Sequence, residues 1–268
     1  MLRQRILGST GISVSALGLG TVKFGRNEGV KYPADFKIPD LKYLHEFLSF
    51  AESLGINLLD TAPAYGNSEE RLGELLKGQR DRWILCSKAG EEFFEGASHY
   101  YFDAYHLEKS LVRSLKRLKT DYLDIFLIHS DGNDQKIMDE YDVFSTLSLF
   151  KQRGWIRSFG MSTKTLDGGL QALKGSDILM VEFSPAHREE EQVLDQAWML
   201  HKGILVKKAL ASGHLSKLGF KTPAQAIQGS MNLIFQKPSV GSVIVGSINP
   251  KHLRENAEAV VRACGGEG

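Results

Sequence analysis

The feature that most constrains this chain is the regular exchange of two hydrophobic patterns along almost its whole length. Segments whose apolar residues recur at helical spacing alternate with short, nearly continuous apolar runs, the pattern of helices packed around buried parallel strands. Leu41, Leu44, Phe47, Leu48, Ala51 and Leu54 share one helical face, and the run at residues 56–60 follows directly. The same reading predicts helices over 68–77, 107–118, 143–153, 166–173 and 190–202, with strands over 83–88, 122–129, 156–162, 178–183 and 204–208. Thr222-Pro223-Ala224-Gln225 opens a further helix with an N-cap hydroxyl, a proline in the first helical position and a glutamine suited to a capping box. A strand at 242–245 and a helix from Asn249-Pro250 to about residue 264 complete the series.

A strand at 16–20 brings the strand candidates to eight, which predicts the α/β class and a (β/α)8 TIM barrel. The segments 4–7 and 12–15, around Gly11, read as an N-terminal β-hairpin over one end. An open doubly wound sheet would carry a glycine-rich turn after its first strand, and Gly18-Leu19-Gly20-Thr21-Val22-Lys23 lacks the last glycine of that turn. With 268 residues, 42% of them hydrophobic, and no repeat or linker, one barrel domain over 1–268 is expected, with a frayed tail at 265–268.

Charge excludes some functions. Basic and acidic residues nearly cancel, 33 against 32, so no net positive field holds nucleic acid or an anionic membrane, and a small molecule is the expected partner. The oligomeric state has no signal. No segment approaches the roughly 20 apolar residues of a membrane helix. Cys86 and Cys264 are too few for a disulfide framework or a metal cluster, so free thiols and a cytoplasmic, reducing location are expected.

Barrel enzymes place chemistry at the C-terminal ends of their strands, and three strands here end on ionisable residues: Asp60, Lys88 and His129. On a period of two, Asp60 shares a face with Leu58, Lys88 with Cys86 and Ile84, and His129 with Leu127 and Ile125. Successive parallel strands lie about 4.8 Å apart, so the three groups can form one polar cluster in the barrel mouth. Tyr65 follows Asp60 by five residues, in a loop where Pro63 and Gly66 suggest a turn back toward the mouth. A lysine ammonium beside that phenol favours phenolate and brings a pKa of about 10 toward neutrality, as a general acid requires. Singly, each residue also admits a structural role: Lys88 reaching solvent, His129 satisfied in the core, Asp60 capping a helix, Tyr65 half-exposed in a loop. Their common position at strand ends favours the joint reading.

The run from Leu58 through Asp60-Thr61-Ala62-Pro63-Ala64-Tyr65-Gly66-Asn67 to Glu69 resembles the signature of the aldo-keto reductase family around its aspartate and tyrosine. Arg5 to Gly11, Leu17 to Thr21, Asp121 to His129, Gly160-Met161-Ser162, Val181 to Pro185, and Val245-Gly246-Ser247 with Glu255-Asn256 extend the resemblance over nearly the whole chain. It implies a catalytic tetrad of Asp60, Tyr65, Lys88 and His129, no metal, and hydride transfer between a nicotinamide and a small carbonyl or sugar substrate. Tyr65 would exchange the proton, Lys88 lower its pKa, Asp60 pair with Lys88, and His129 orient the carbonyl.

By the same resemblance, Gly20, Thr21 and Val22 approach the cofactor by backbone beside Asp60, Ser162 meets the carboxamide, and residues 207–213, with Lys207, Lys208, Leu210 and Gly213, wrap the ring and pyrophosphate. Gly246, Ser247 and Ile248, ahead of a helix N-terminus, receive the adenosine phosphates, with His252, Glu255 and Asn256 beyond them. The sequence departs from the family pattern at four places. Thr163 stands for an asparagine, Met180 for a glutamine, Lys207 for an aromatic residue that often stacks on nicotinamide, and His252 for an arginine. NADP(H) is favoured, with NAD(H) open. The chain stops soon after the last helix, so a long C-terminal loop is expected to be absent, and an aromatic wall from Phe93, Phe94, His99, Tyr100 and Tyr101, or packing of that loop on the barrel, takes its place. The leading reading is a reductase of small aldehydes or ketones, or the reverse oxidation of alcohols or aldoses. The alternatives are a cofactor-binding regulatory or redox-sensing barrel with weak turnover, and a metal-dependent hydrolase, for which only Asp60 and His129 qualify as ligands.

Overall fold

A computed structural model describes residues 1–265, so Gly266, Glu267 and Gly268 of the expected frayed tail lie outside the described residues. The chain opens with β1 (Gln4–Ile6) and β2 (Ser13–Ser15), antiparallel partners in the register Gln4 to Ser15. Next come β3 (Leu17–Gly20), α1 (Val22–Gly25), α2 (Leu41–Ser53), β4 (Leu58–Asp60), α3 (Ser68–Leu75) and β5 (Ile84–Ala89). A second antiparallel pair, β6 (Glu91–Phe94) and β7 (Ala97–Tyr100), precedes α4 (Ala104–Leu118), β8 (Leu123–His129), α5 (Asp134–Tyr141), α6 (Val143–Gln152) and β9 (Ile156–Ser162). The remainder is α7 (Leu166–Ala172), β10 (Ile178–Glu182), α8 (Glu191–Met199), β11 (Gly203–Lys207), two short 3-10 turns, α9 (Pro223–Phe235), β12 (Val240–Val245) and α10 (Pro250–Ala263).

Eight of these strands, among the described residues, close in the parallel order β3-β4-β5-β8-β9-β10-β11-β12. Closure is the pairing of β12 with β3, Val243 to Leu17 and Val245 to Leu19. All eight coincide with apolar runs of the sequence. The expected caps also form: Thr222 Oγ1 accepts from the Gln225 amide at 3.2 Å, and Asn249 Oδ1 from the Lys251 amide at 2.9 Å, each with proline in the first turn. Elsewhere Asp40 and Asp103 cap α2 and α4 in the same way.

Two apolar layers result. Between strands and helices lies the larger one, where α4 buries Leu107, Leu111 and Leu118. Inside the barrel, Leu58, Cys86, Ile125, Leu127, Ile178, Met180, Leu205 and Ile244 pack together. The N-terminal hairpin adds Leu7, Ile12 and Val14 from below and so plugs the barrel floor. Leu7 enters because β11 and β12 start on glycine-bearing segments. A Cβ on Gly241 would stand 2.3 Å from Leu7 Cδ2, and one on Gly203 2.9 Å from Leu7 Cβ. With the floor sealed by side chains, solvent reaches the interior from the opposite rim, where the strands end.

Two local features were not expected. The segment around residues 91–102 is the β6–β7 hairpin, turned by Glu95 and Gly96, whose φ values of 53° and 75° are those of a type I′ turn. α5 also forms, although no sequence cap announces it: Asn133 makes no side-chain cap bond.

Candidate active site

Strand alternation delivers the polar cluster. Leu58, Cys86, Ile125 and Leu127 point into the barrel, so Asp60, Lys88 and His129, two residues further along the same strands, line the mouth. Lys88 is 1% exposed, and an ammonium so buried needs compensation. It has it: Nζ donates to Asp60 Oδ1 at 2.6 Å, to the Thr61 carbonyl at 2.9 Å and to the Tyr65 hydroxyl at 3.3 Å. All three of its N–H groups are therefore used.

The loop after β4 aims Tyr65. Its amide donates to the Ala62 carbonyl at 3.0 Å, and the Ser68 amide donates back to the Tyr65 carbonyl at 3.2 Å. Gly66 follows at φ +63°, and a Cβ there would lie 2.1 Å from the Gly25 carbonyl oxygen. Bare backbone at this point lets the loop press on α1 and swing the phenol inward. The Tyr65 and His129 rings face each other edge-on, 6.3 Å apart at 86°.

The net effect on Tyr65 differs from expectation. Burial pushes the phenol pKa above its ordinary value; Lys88 pulls it down and Asp60 pushes it up again, and burial wins. Tyr65 thus holds its proton at neutral pH, the state a proton donor needs. Burial works to lower the Lys88 pKa, but Asp60, with Tyr65 and Cys86, together offset it and the ammonium is held above its ordinary range.

His129 has a partner that the sequence did not single out. Glu91, the first residue of β6, puts Oε2 at 2.9 Å from His129 Nδ1, a contact that is an ion pair only when the imidazole is protonated. Ser98 of β7 donates to the other oxygen at 2.6 Å. Burial pushes His129 below the usual histidine range, with Lys88 and Lys207 adding to it and Glu91 opposing it. Burial works against the Glu91 charge too, but His129, Ser98 and Arg26 bring its carboxyl down to about 2.

From this mouth a cleft of about 580 Å³ runs across the rim to the N-terminus of α10. Gly20, Val22, Asp60, Ser162, Met180, Lys207, Lys208, Leu210, Gly213, Gly246, Ser247, His252, Glu255 and Asn256 line it, together with Tyr65, Lys88 and His129. Two expected residues do not. Thr21 is fully buried and turned away, its hydroxyl donating to the Asp60 carbonyl at 3.0 Å and accepting from Ser68 at 2.8 Å. Ile248 is likewise off the cleft, and its carbonyl accepts from the Tyr43 hydroxyl at 2.8 Å.

The expected aromatic wall is also absent from the cleft. Phe93 lies against the Arg26 guanidinium at 3.5 Å, Phe94 stacks on His99 at 3.8 Å, Tyr101 on His106 at 5.0 Å, and Tyr100 on Phe102 at 6.2 Å. These rings pack on the hairpin itself, the end of α1 and the start of α4. The cover comes instead from the α1–α2 connection: Tyr32, Pro33 and Ala34 line the cleft, and a Cβ on Gly246 would stand 2.6 Å from the Tyr32 hydroxyl. Lys23 sits 3.9 Å from the Tyr32 ring centre and lines the same wall. Neither contact has a local sequence signal, whereas the Glu95-Gly96 turn was a legible one for the β6–β7 hairpin.

The cleft fits a nicotinamide dinucleotide on several counts. Asn256 Oδ1 is buried at its far end with no hydrogen-bond partner, an acceptor waiting for a donor such as an exocyclic amine. Gly246 offers bare backbone, the capped start of α10 offers amides to a phosphate, and Lys23, Lys207 and Lys208 supply positive charge. Among the described residues no three His, Cys, Asp or Glu side chains converge as metal ligands, and no helix is long and apolar enough to cross a membrane.

The family model described as "Aldo/keto reductase family" matches residues 16–230, and the chain belongs to that family of oxidoreductases. A solved structure of an aldo-keto reductase of Pseudomonas aeruginosa is 48% identical, with a TM-score of 0.88 over 97% of this chain and 94% of that one. The oxidoreductase YqkF of Bacillus subtilis is 29% identical over 96% of this chain and 91% of its own length. The 6-dehydroglucose reductase of Novosphingobium aromaticivorans is 29% identical over 96% of this chain and 90% of its own.

Proposed function

We propose that this chain reduces small aldehydes and ketones, oxidised sugars among them, with Tyr65 as the general acid. The observation that carries the reading is the Lys88 ammonium held at once by Asp60, Thr61 and the Tyr65 hydroxyl inside a deep cleft. A reduced nicotinamide bound along that cleft supplies a hydride to the carbonyl carbon. The protein supplies the rest. Tyr65 Oη donates its proton to the carbonyl oxygen as negative charge develops there, and the fixed charge of Lys88 stabilises the phenolate left behind. The His129 ring stands edge-on to Tyr65 and lines the same space, where it orients the substrate oxygen.

NADP(H) is the proposed cofactor, with His252, which lines the cleft on the same helix as Asn256, as the basic group for its 2′-phosphate, and NAD(H) is also accepted. Lys164 and Lys208 on the rim can meet the hydroxyls of a sugar aldehyde, and one relative is named for the reduction of an oxidised sugar. Replacement of Tyr65 by Phe is expected to cut aldehyde-dependent nucleotide oxidation by about a hundredfold or more while leaving nucleotide binding nearly intact. Unchanged turnover would remove Tyr65 from the mechanism.

A further inference from the structure

The mouth holds a second buried lysine that proton transfer does not use. Lys207 ends β11, four strands from β5 in the barrel of eight and so directly across from Lys88. Its Nζ donates to Ser162 Oγ at 2.8 Å and to the Thr163 carbonyl at 2.6 Å. An ammonium carries three N–H groups, and where Lys88 spends all of them on protein acceptors, Lys207 has one left on the side that lines the cleft. Among the described residues no carboxylate pairs with it directly. The Glu190 carboxylate behind it is occupied by the Thr163 hydroxyl at 3.0 Å and the Glu182 amide at 3.1 Å, and Glu182 in turn pairs with Lys208.

We propose, taking the nicotinamide reading above as given, that Lys207 makes this site discriminate between cofactor redox states: its ammonium beside Ser162 receives the carboxamide oxygen and favours the neutral reduced ring over the cationic oxidised one. The space between Tyr65 and His129 on one side and Ser162, Met180 and Lys207 on the other is where a ring must lie to reach a carbonyl held at Tyr65. Reduction leaves a ring that bears a positive charge a few ångströms from a fixed ammonium in a partly dry pocket, so oxidised cofactor is expelled and reduced cofactor readmitted. The carboxamide contact is common to both states and does not discriminate. The charge does.

The charge on Lys207 is itself adjustable. Burial brings its pKa down to about 8; Glu190 opposes this, Lys208 and Lys164 add to it, and Asp134 opposes it. Of the other groups around the mouth, His129 is kept neutral by burial, Lys88 stays charged, and Glu182 is held by Lys208. Discrimination is therefore present while Lys207 is protonated and fades as pH rises through about 8.

Dissociation constants of NADPH and NADP+ measured by protein fluorescence, without substrate, at about pH 6.5 and about pH 9.5 test this in the native protein, Lys207→Met and Lys207→Arg. The ratio of the oxidised to the reduced constant is expected to fall about tenfold with rising pH in the native protein. It should be low at both values in Lys207→Met and high at both in Lys207→Arg. The 2′-phosphate is common to both nucleotides and cancels in the ratio. A ratio independent of pH in the native protein, or unchanged in Lys207→Met, overturns the role of Lys207 while leaving cofactor binding in place. Failure of either nucleotide to bind the native protein overturns the nicotinamide reading itself.

Discussion

Lys88→Met separates what the buried ion pair does for the fold from what it does for the reaction. Lys88 and Asp60 side chains are 1% and 4% exposed and 2.6 Å apart, so removing the ammonium strands a carboxylate with little water to solvate it. Breaking such a pair from one side typically costs about 3–5 kcal/mol, and losing the donor to the Thr61 carbonyl adds about 1 kcal/mol. For a chain of this size each kcal/mol moves the melting temperature by roughly 2–4 °C, so a fall of about 10 °C or more is expected. Asp60→Asn should cost nearly as much, because the ammonium is then the stranded charge. In the double variant Asp60→Asn/Lys88→Met neither charge remains, and stability should lie above that of either single variant. Turnover should not return with it, since no ammonium faces Tyr65. Thermal unfolding followed by circular dichroism, with steady-state aldehyde reduction on the same samples, reads both effects. The pKa of Lys88 is raised above 10.5 on folding, so its contribution is complete below that value and lost only as pH climbs through the folded pKa. Results between about pH 6 and pH 9 should therefore agree. A double variant whose loss equals the sum of the two single losses would refute the coupling.

Glu91→Gln removes the anion that opposes burial at His129, so the histidine pKa should fall further and the acid limb of the kcat/KM profile should move down by about half a pH unit or more. An unmoved limb would show that Glu91 leaves His129 alone. The same variant bears on acid stability: Glu91 is depressed to about 2 from 4.5, so it stabilises above its unfolded pKa and the contribution is lost as pH falls toward 2. Leu7→Ala opens a cavity in the barrel floor and should cost about 2–5 kcal/mol in denaturant unfolding. Below its melting temperature this variant should keep native kcat/KM, because the plug lies at the end of the strands remote from Tyr65.

The barrel and the polar cluster at its mouth were legible in the sequence because both rest on local periodicity. A strand buried on both faces reads as an apolar run, and the two-residue repeat that sends Leu58 and Cys86 inward also sends Asp60 and Lys88 into the mouth. The turn that aims Tyr65 is equally local, encoded by Pro63 and Gly66. What the sequence could not decide were encounters between segments far apart in the chain. Glu91 meets His129 only because the β6–β7 hairpin folds over the end of β8, and Tyr32 covers Gly246 only because the α1–α2 connection crosses the cleft. Thr21 and Ile248 sit beside cleft-lining residues in sequence yet stay off the cleft, the Thr21 hydroxyl bound to the Asp60 carbonyl and the Ile248 carbonyl to the Tyr43 hydroxyl. The titration of Tyr65 was likewise a tertiary outcome. The neighbouring lysine could be inferred from strand order, but the burial that outweighs it depends on how every surrounding element packs, and desolvation is a property of that whole enclosure.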